Sequence, residues 1–321
     1  MRYRGNTTRE SLATLLVVLA GCGVSAAESP APGSTAGGAG GTVRQFGAVG
    51  DGQADDSEAV QRAVDQGGEV RFPRGTYRLT RPIVVELDRV GRTSLVGDGT
   101  ATLVMAGPGP AIHLIGTHEG TADPESVKEA VWLRQRTPMV DGLEIVGEHP
   151  EAIGIRVEGA MQPILTRVTV RQALHGLHLT RRNRNVLIAE CHLYHNRGVG
   201  LLLDRVNLHQ INVANCHISY NAEGGIVVRG SEIRNLQIAC CDIEANMAPD
   251  GPATANIFLD CTEGSVREGA ITGCTLQHSK SPPGAANLRL LGRSAQEPQK
   301  VGFFSIGDNQ ISDVAINVHL K

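Results

Sequence analysis

The chain has 321 residues, a formal net charge of −3 at neutral pH, 39 glycines and 3% aromatic residues. That balance excludes a bulk electrostatic affinity for nucleic acid or for an anionic membrane. An acidic ligand would need a local basic patch.

Arg2, Arg4 and Arg9 precede an apolar run from Leu12 to Gly21. The run is too short to cross a bilayer and has the charge order of an export signal. It ends Leu19-Ala20-Gly21-Cys22, which resembles a bacterial lipobox, where the cysteine is lipidated and becomes the mature N-terminus. A second reading places ordinary cleavage at the small residues near Val24-Ser25-Ala26. Residues 1–22 are thus a signal peptide, and the mature protein is expected as a surface or outer-envelope lipoprotein, otherwise periplasmic or secreted. Membrane contact is expected only through the lipid anchor. Loss of residues 1–21 moves the formal charge to −5. Residues 23–41 are a Gly/Ala/Pro/Ser-rich tether with nothing to bury. Residues 42–321 suffice for one large domain.

Residues 42–80 form a distinct module. Asp51-Gly52 is a tight-turn pair. Asp56 or Ser57 can cap a helix with Ala59, Val60, Ala63 and Val64 on one face, stopped by Gly67-Gly68. Two short strands follow, Glu69 to Phe72 and Thr76 to Leu79, joined by the turn Pro73-Arg74-Gly75. Asp55-Asp56 reads better as a pair satisfying free N–H groups at the helix start than as catalytic carboxylates.

The motif Phe46-Gly47-Ala48-x-Gly50-Asp51-Gly52, then Asp55-Asp56, then Phe72-Pro73-x-Gly75-x-Tyr77, resembles the N-terminal module of the pectate-lyase superfamily, rhamnogalacturonase- and epimerase-like proteins included. The resemblance implies a right-handed parallel β-helix whose first turns carry a short capping helix. A plug has a physical purpose, because the end of a coil stack exposes unpaired backbone and an apolar interior.

From about residue 140 to 321 the chain repeats, independently of that resemblance. One element is Gly154-Ile155-Arg156-Val157, recurring at Gly176, Gly200, Gly225, Asn256, Asn287 and Asn317, with spacings of 22, 24, 25, 31, 31 and 30 residues. A second element carries Cys191, Cys216, Cys241 and Cys274 at one position and Asn196, Asn221 and Asn246 five residues on. Coils of this length fit an all-β solenoid with three strands per coil, whereas antiparallel hairpins would need denser turn signals. Stacked cysteines point alike, which opposes adjacent-coil disulfides. They are expected as buried free thiols. The asparagines fit a hydrogen-bonded ladder. The chain stops at Lys321 inside a strand without a recognisable cap, which raises the expectation of a partner, homo-oligomerisation through that coil, or a shortened gene product.

In the first element odd positions enter the core and even ones face out. One outward column runs Arg156, His178, Leu202, Val227, Phe258, Arg289, His319. The next runs Glu158, Thr180, Asp204, Arg229, Asp260. Acids, bases and a histidine meet there, and Arg181, Arg182 and Arg184 follow as a possible anion-binding rim. The resemblance implies that this sheet floors a polysaccharide groove, with acidic glycan as substrate. For a lyase, it implies calcium on Asp204 and Asp260 and a base, Arg229 or His178. For a hydrolase, Asp204 and Asp260 are the two carboxylates, about 9.6 Å apart at two coils of about 4.8 Å. Substrate contacts are assigned to Arg156, Glu158, Arg181, Arg182 and Phe258. The bland alternative is a salt-bridge ladder Asp204-Arg229-Asp260.

The chain departs from the family's active-site patterns. Polygalacturonases carry Asn-x-Asp, Asp-Asp, Gly-His-Gly and Arg-x-Lys. Here the nearest motif is Leu174-His175-Gly176, and no Asp-Asp follows Asp56. The aromatic residues available for sugar stacking are Trp132, Tyr194, Tyr220 and Phe258. A non-catalytic glycan-binding or adhesive module is therefore the second expectation.

Overall fold

The structure is a computed structural model that describes residues 41–278, 282–293 and 300–321. The export signal, Cys22 and nearly all of the tether lie outside the described residues.

Parallel strands wind into a right-handed β-helix of three sheets. The first sheet contains Ile83–Glu86, Gly109–Ile115, Ala152–Glu158, the starts of His175–Ala189 and Val199–Ala214, then Gly224–Arg229, Ala255–Asp260, Ala286–Leu291 and Ile316–Leu320. The third sheet includes Thr169–Arg171, His192–Tyr194, His217–Ser219, Asp242–Glu244 and Thr275–Gln277. The second lies between them, in the later halves of His175–Ala189 and Val199–Ala214 and in Glu232–Ala239, Ser265–Thr272 and Val301–Gly307. Single left-handed residues break each coil. In the coil from Gly176 to Gly200 these are Arg181 (φ 60°), Asn185 (53°), Glu190 (56°) and His195 (51°). Polar residues tolerate that conformation best, and here the stacking over-determines it.

The register follows the repeat. Ile155, Leu177, Leu201, Ile226, Ile257, Leu288 and Val318 pair in sequence from coil to coil. All but Val318 are buried and join one continuous core. Coil stacking begins earlier than the visible repeat, since Gly75–Leu79 already pairs with Thr93–Met105 and that strand with Met139–Gly147. The early coils lack the repeated Cys and Asn, which is why the periodicity is faint there.

The helix α1, Ser57–Val64, buries Ala59, Val60, Ala63 and Val64 as its apolar stripe requires. Its capping differs from expectation. Asp56 makes no side-chain cap bond, and its carboxylate accepts from the backbone N–H of Val49 (2.6 Å) and Gly50 (3.0 Å). Asp55 takes the helix start instead, accepting from Ser57 N (3.0 Å) and Ser57 Oγ (2.5 Å). Against the opposing effect of burial, those bonds and the one from Thr80 Oγ1 (2.6 Å) hold the Asp55 carboxyl down at about 2. Asp51 and Gly52 open a short strand, Asp51–Asp55, although the Asp51 carboxylate caps Gln53 and Ala54 as in a turn.

The asparagine ladder is present and longer than the sequence showed. Asn196, Asn221 and Asn246 link through amide bonds of 2.8 Å, and Asn246 passes the chain to Asn256 at 2.9 Å, then to Asn287 and Asn317. The ladder changes its attachment from the end of one coil to the start of the next strand. Where the amide comes from Asn221 or Asn246, the strand start is glycine: a Cβ on Gly200 or Gly225 would stand 2.8 Å from that amide nitrogen. Where the strand start is Asn256, the amide itself occupies the space. The switch from Gly to Asn in the repeat is one steric exchange.

Cys191, Cys216, Cys241, Cys261 and Cys274 are buried free thiols, and Cys240 is an exposed one. The neighbouring thiols and burial push Cys216 and Cys241 up to about 12. Titration of the native protein with an aromatic disulfide reagent is expected to modify Cys240 rapidly and these five only on denaturation. Oxidised stacked cysteines in unreduced, denatured protein would refute this.

Candidate functional site

Both outward columns assemble in register. Arg156, His178, Leu202, Val227, Phe258, Arg289 and His319 are successive partners on the first sheet. So are Glu158, Thr180, Asp204, Arg229 and Asp260. The columns differ along the axis, however, and divide into three zones.

At the C-terminal side of the columns, Asp204, Arg229 and Asp260 border a cavity of about 390 Å³ together with Arg205, Gly230, Thr262 and Glu263. Asp260 Oδ1 accepts from Thr262 N (3.1 Å) and Thr262 Oγ1 (2.6 Å), which fixes that carboxyl, and its second oxygen has no hydrogen-bond partner among the described residues. Arg205 stands 3.3 Å from Asp204. Among the described residues Arg229 makes no ion pair within 4.0 Å, so the expected Asp204-Arg229-Asp260 ladder is not formed. A neighbouring hollow of about 140 Å³ shares Arg229 and is walled by Phe258 and by Pro252, Ala253 and Thr254 of a loop.

Beneath this hollow Val199, Leu202 and Val227 form an apolar floor against which Phe258 packs. The Arg289 guanidinium lies 5.9 Å over the Phe258 ring. Phe258 therefore borders the cleft as a wall rather than as a free platform.

The N-terminal part of the columns is closed. The His178 side chain is only 12% exposed, its Nε2 is 4.0 Å from Asp204, and neither ring nitrogen has a hydrogen-bond partner. Burial, then Arg156, push its pKa down to about 4 against the pull of Asp204. His175, beside it in edge-to-face contact, is also held at about 4 by burial and by His178. Glu158 is bracketed by His113 (3.4 Å) and Arg181 (3.7 Å), and Arg156 Nε is buried without a partner. Arg182 and Arg184 do not make a free anion rim. Their guanidinium groups donate to the carbonyls of Gly120 and Thr121, tying down the segment whose Val127, Val131 and Trp132 pack with Met161. Sequence spacing placed these residues on the right face, but not the 117–136 insertion that covers one end.

The buried neutral histidines have a consequence for stability. Their folded pKa values of about 4 lie below the unfolded value, so the unfolded chain binds more protons as the pH falls. Their contribution is whole above pH ~6.5 and is lost progressively towards pH ~4, with a slope of at most about 1.4 kcal/mol per pH unit for each histidine. The urea midpoint is expected to be lower at pH 5 than at pH 7, and His178→Gln should flatten the dependence. Equal midpoints at both values would refute it.

Calcium on Asp204 and Asp260 does not fit this arrangement. Arg229 lies between them in the column, and one ion with oxygen ligands at about 2.3–2.6 Å would have to displace that cation. Among the described residues no three His, Cys, Asp or Glu side chains gather as a metal site.

Arg205, Thr262, Glu263 and the Pro252–Thr254 wall were not legible beforehand. Arg205 follows Asp204 at a left-handed bend (φ 46°), which turns a residue next in sequence into the cavity's rim. A strand-alternation argument stops at that bend.

Comparison with solved structures returns the same fold. The ORF18 protein of Geobacillus virus E2 aligns with a TM-score of 0.54 at 16% identity over 87% of this chain and 59% of its own. The Agl-KA catalytic domain aligns at 0.50 and 14% identity, over 85% and 55%. The A-module of the mannuronan C-5 epimerase AlgE6 from Azotobacter vinelandii aligns at 0.44 and 17%, over 85% and 76%. This chain thus spans a little over half the length of the first two. No curated protein matches it in sequence. The family model described as rhamnogalacturonase A/epimerase, pectate lyase-like matches residues 42–236, more than half of the chain. The coil register and that match agree, and the chain belongs to the rhamnogalacturonase A/epimerase, pectate lyase-like family.

Proposed function

We propose that the protein is a polysaccharide-cleaving enzyme that acts on acidic glycan in the first-sheet cleft. The observation that carries this is an arginine, Arg229, without an ion pair among the described residues and set between two carboxylates on consecutive coils, all opening into one cavity. Arg229 is the group that pairs with a uronate carboxylate. Asp204 and Asp260, about 9.6 Å apart at two coil spacings, stand at the upper edge of the separation of roughly 6.5–9.5 Å that admits a water for inverting hydrolysis. Asp260 protonates the leaving glycosidic oxygen through its second oxygen. Asp204, with Arg205 beside it, takes the proton from the attacking water. His178 is outside this chemistry because it is enclosed behind Asp204.

A second reading is β-elimination with Arg229 as the base, supported by the same absence of an ion partner. A third is a binding module without turnover, supported by the missing family motifs. Export, with lipid on Cys22, belongs to the proposal as well; the mass of the mature N-terminal peptide tests it.

The deciding assay incubates the protein with polygalacturonate, alginate and other acidic polysaccharides, with and without calcium. Reducing ends without absorbance at 235 nm are expected. New absorbance at 235 nm would replace hydrolysis by elimination. Silence across the panel, with retarded migration in gels containing the polymers, would leave only the binding module.

A further inference from the structure

The outer face of the third sheet gathers rings that the cleft does not use. His192 and His217 stack at 5.0 Å with planes 11° apart. His195 and Tyr220, successive residues of a left-handed turn column, stack at 5.0 Å and 15°. Tyr194 meets His195 edge to face at 5.5 Å. In a chain with four tyrosines, two thus project from adjacent coils on one face.

The His195–Tyr220 stack ends at a small side chain on the next coil, whereas the His192–His217 stack ends at Asp242. Tyr220 is followed in its column by Ala245, whose turn sits one coil further on, since Tyr220 N donates to Glu244 O and Ala245 N to Gln277 O. His195 covers one ring face of Tyr220, and the other looks across a single methyl group. Tyr220 is 47% exposed. Tyr194 is likewise followed by Ser219 in the strand register. The Tyr220 face therefore stands open, and Tyr194, whose plane is turned 76° from that of His195, borders it edge-on from the preceding coil.

Acceptors border the rings. Asp242 follows His217 in register and lies 3.7 Å from its Nδ1. Glu244 follows Ser219, receives a hydrogen bond from the Gln277 amide at 2.6 Å and engages the Tyr220 hydroxyl, whose pKa it raises. The nearby bases are committed elsewhere: Arg171 to Glu144 at 2.8 Å, and Arg197 to the carbonyls of Gln172 and His149. The open ring face of Tyr220 matches the apolar C–H face of a pyranose, and carboxylates accept from its hydroxyls. The same carboxylates repel a uronate, so the ligand differs in charge from the one assigned to the cleft.

We propose that the Tyr194–Tyr220 face of the third sheet is a second carbohydrate-binding surface, specific for neutral sugar chains. It stands on separate residues from the cleft and survives if the cleavage proposal fails.

The test is isothermal titration of the protein with cellohexaose, laminarihexaose and maltohexaose, with polygalacturonate as the acidic control. Binding of at least one neutral hexaose is expected. Tyr220→Ala should weaken it at least tenfold, Tyr220→Phe should hold it within about threefold, and Tyr194→Ala should also weaken it. Circular dichroism checks that the variants fold. Cleavage of acidic polymer, where found, should be unchanged in Tyr220→Ala. No heat with any of the three hexaoses, or binding indifferent to both alanine variants, overturns the proposal. Loss of binding in Tyr220→Phe as well would assign recognition to the hydroxyl and overturn the stacking geometry.

Discussion

Replacing Asp260 by Asn should lower turnover on acidic glycan by about 10²–10⁴, the usual contribution of one general acid or base. The amide keeps the shape that Thr262 holds but has no proton to give to a leaving oxygen. KM should change little, because the proposed uronate contact belongs to Arg229. Asp204→Asn should cost a similar factor, and the double variant much less than the product of the two, since both act on one bond. Unfolding free energy should stay within about 1 kcal/mol in either variant, as both carboxyls face solvent. Arg229→Gln provides the contrast: under hydrolysis it should raise KM for a uronate polymer, and under elimination it should abolish turnover. Full activity in Asp260→Asn would remove this cleft from consideration as a two-carboxylate site.

Asn221→Ala should be the most damaging single change to stability. The residue is fully buried; its Oδ1 accepts from the backbone N–H and the amide of Asn196, and its Nδ2 donates to Leu193 O at 3.0 Å and to Asn246 at 2.8 Å. Truncation leaves the Asn196 N–H and the Leu193 carbonyl without partners in the core. At about 1–3 kcal/mol for each of these two groups the loss is about 2–6 kcal/mol. Urea denaturation with an unchanged m-value would measure it. A loss below about 1 kcal/mol would mean that the ladder relaxes or admits water.

The residues that made the fold legible are those whose side chains repeat by stacking. Cys191, Cys216 and Cys241, with the asparagines five residues after each, carry the coil length because parallel in-register strands bring like to like at one spacing. The motif from Phe46 to Tyr77 located the first turns for the same kind of reason: the tight bends at Gly50 (φ 67°) and Gly52 (φ 81°) restrict which residues can stand there. Alternation then placed Arg156, His178, Asp204, Arg229 and Asp260 correctly on the outer face of one sheet, down to which residue pairs with which.

Accessibility was not in the repeat. His178 and Glu158 share columns with cleft residues and Arg182 follows at the next bend, yet the first two are enclosed and the third serves the 117–136 insertion. Insertions have no periodicity to read, and where they fold back depends on contacts far away in the chain. The bend residues were equally hidden, since Arg205 reaches the cavity through a left-handed bend inside Val199–Ala214 and Thr262 lies just past the end of Ala255–Asp260. The sequence by itself determined the solenoid, its register and the outward face. Only the tertiary structure decided which part of that face stays open, because openness depends on what the loops cover, and loop placement is a property of the folded whole.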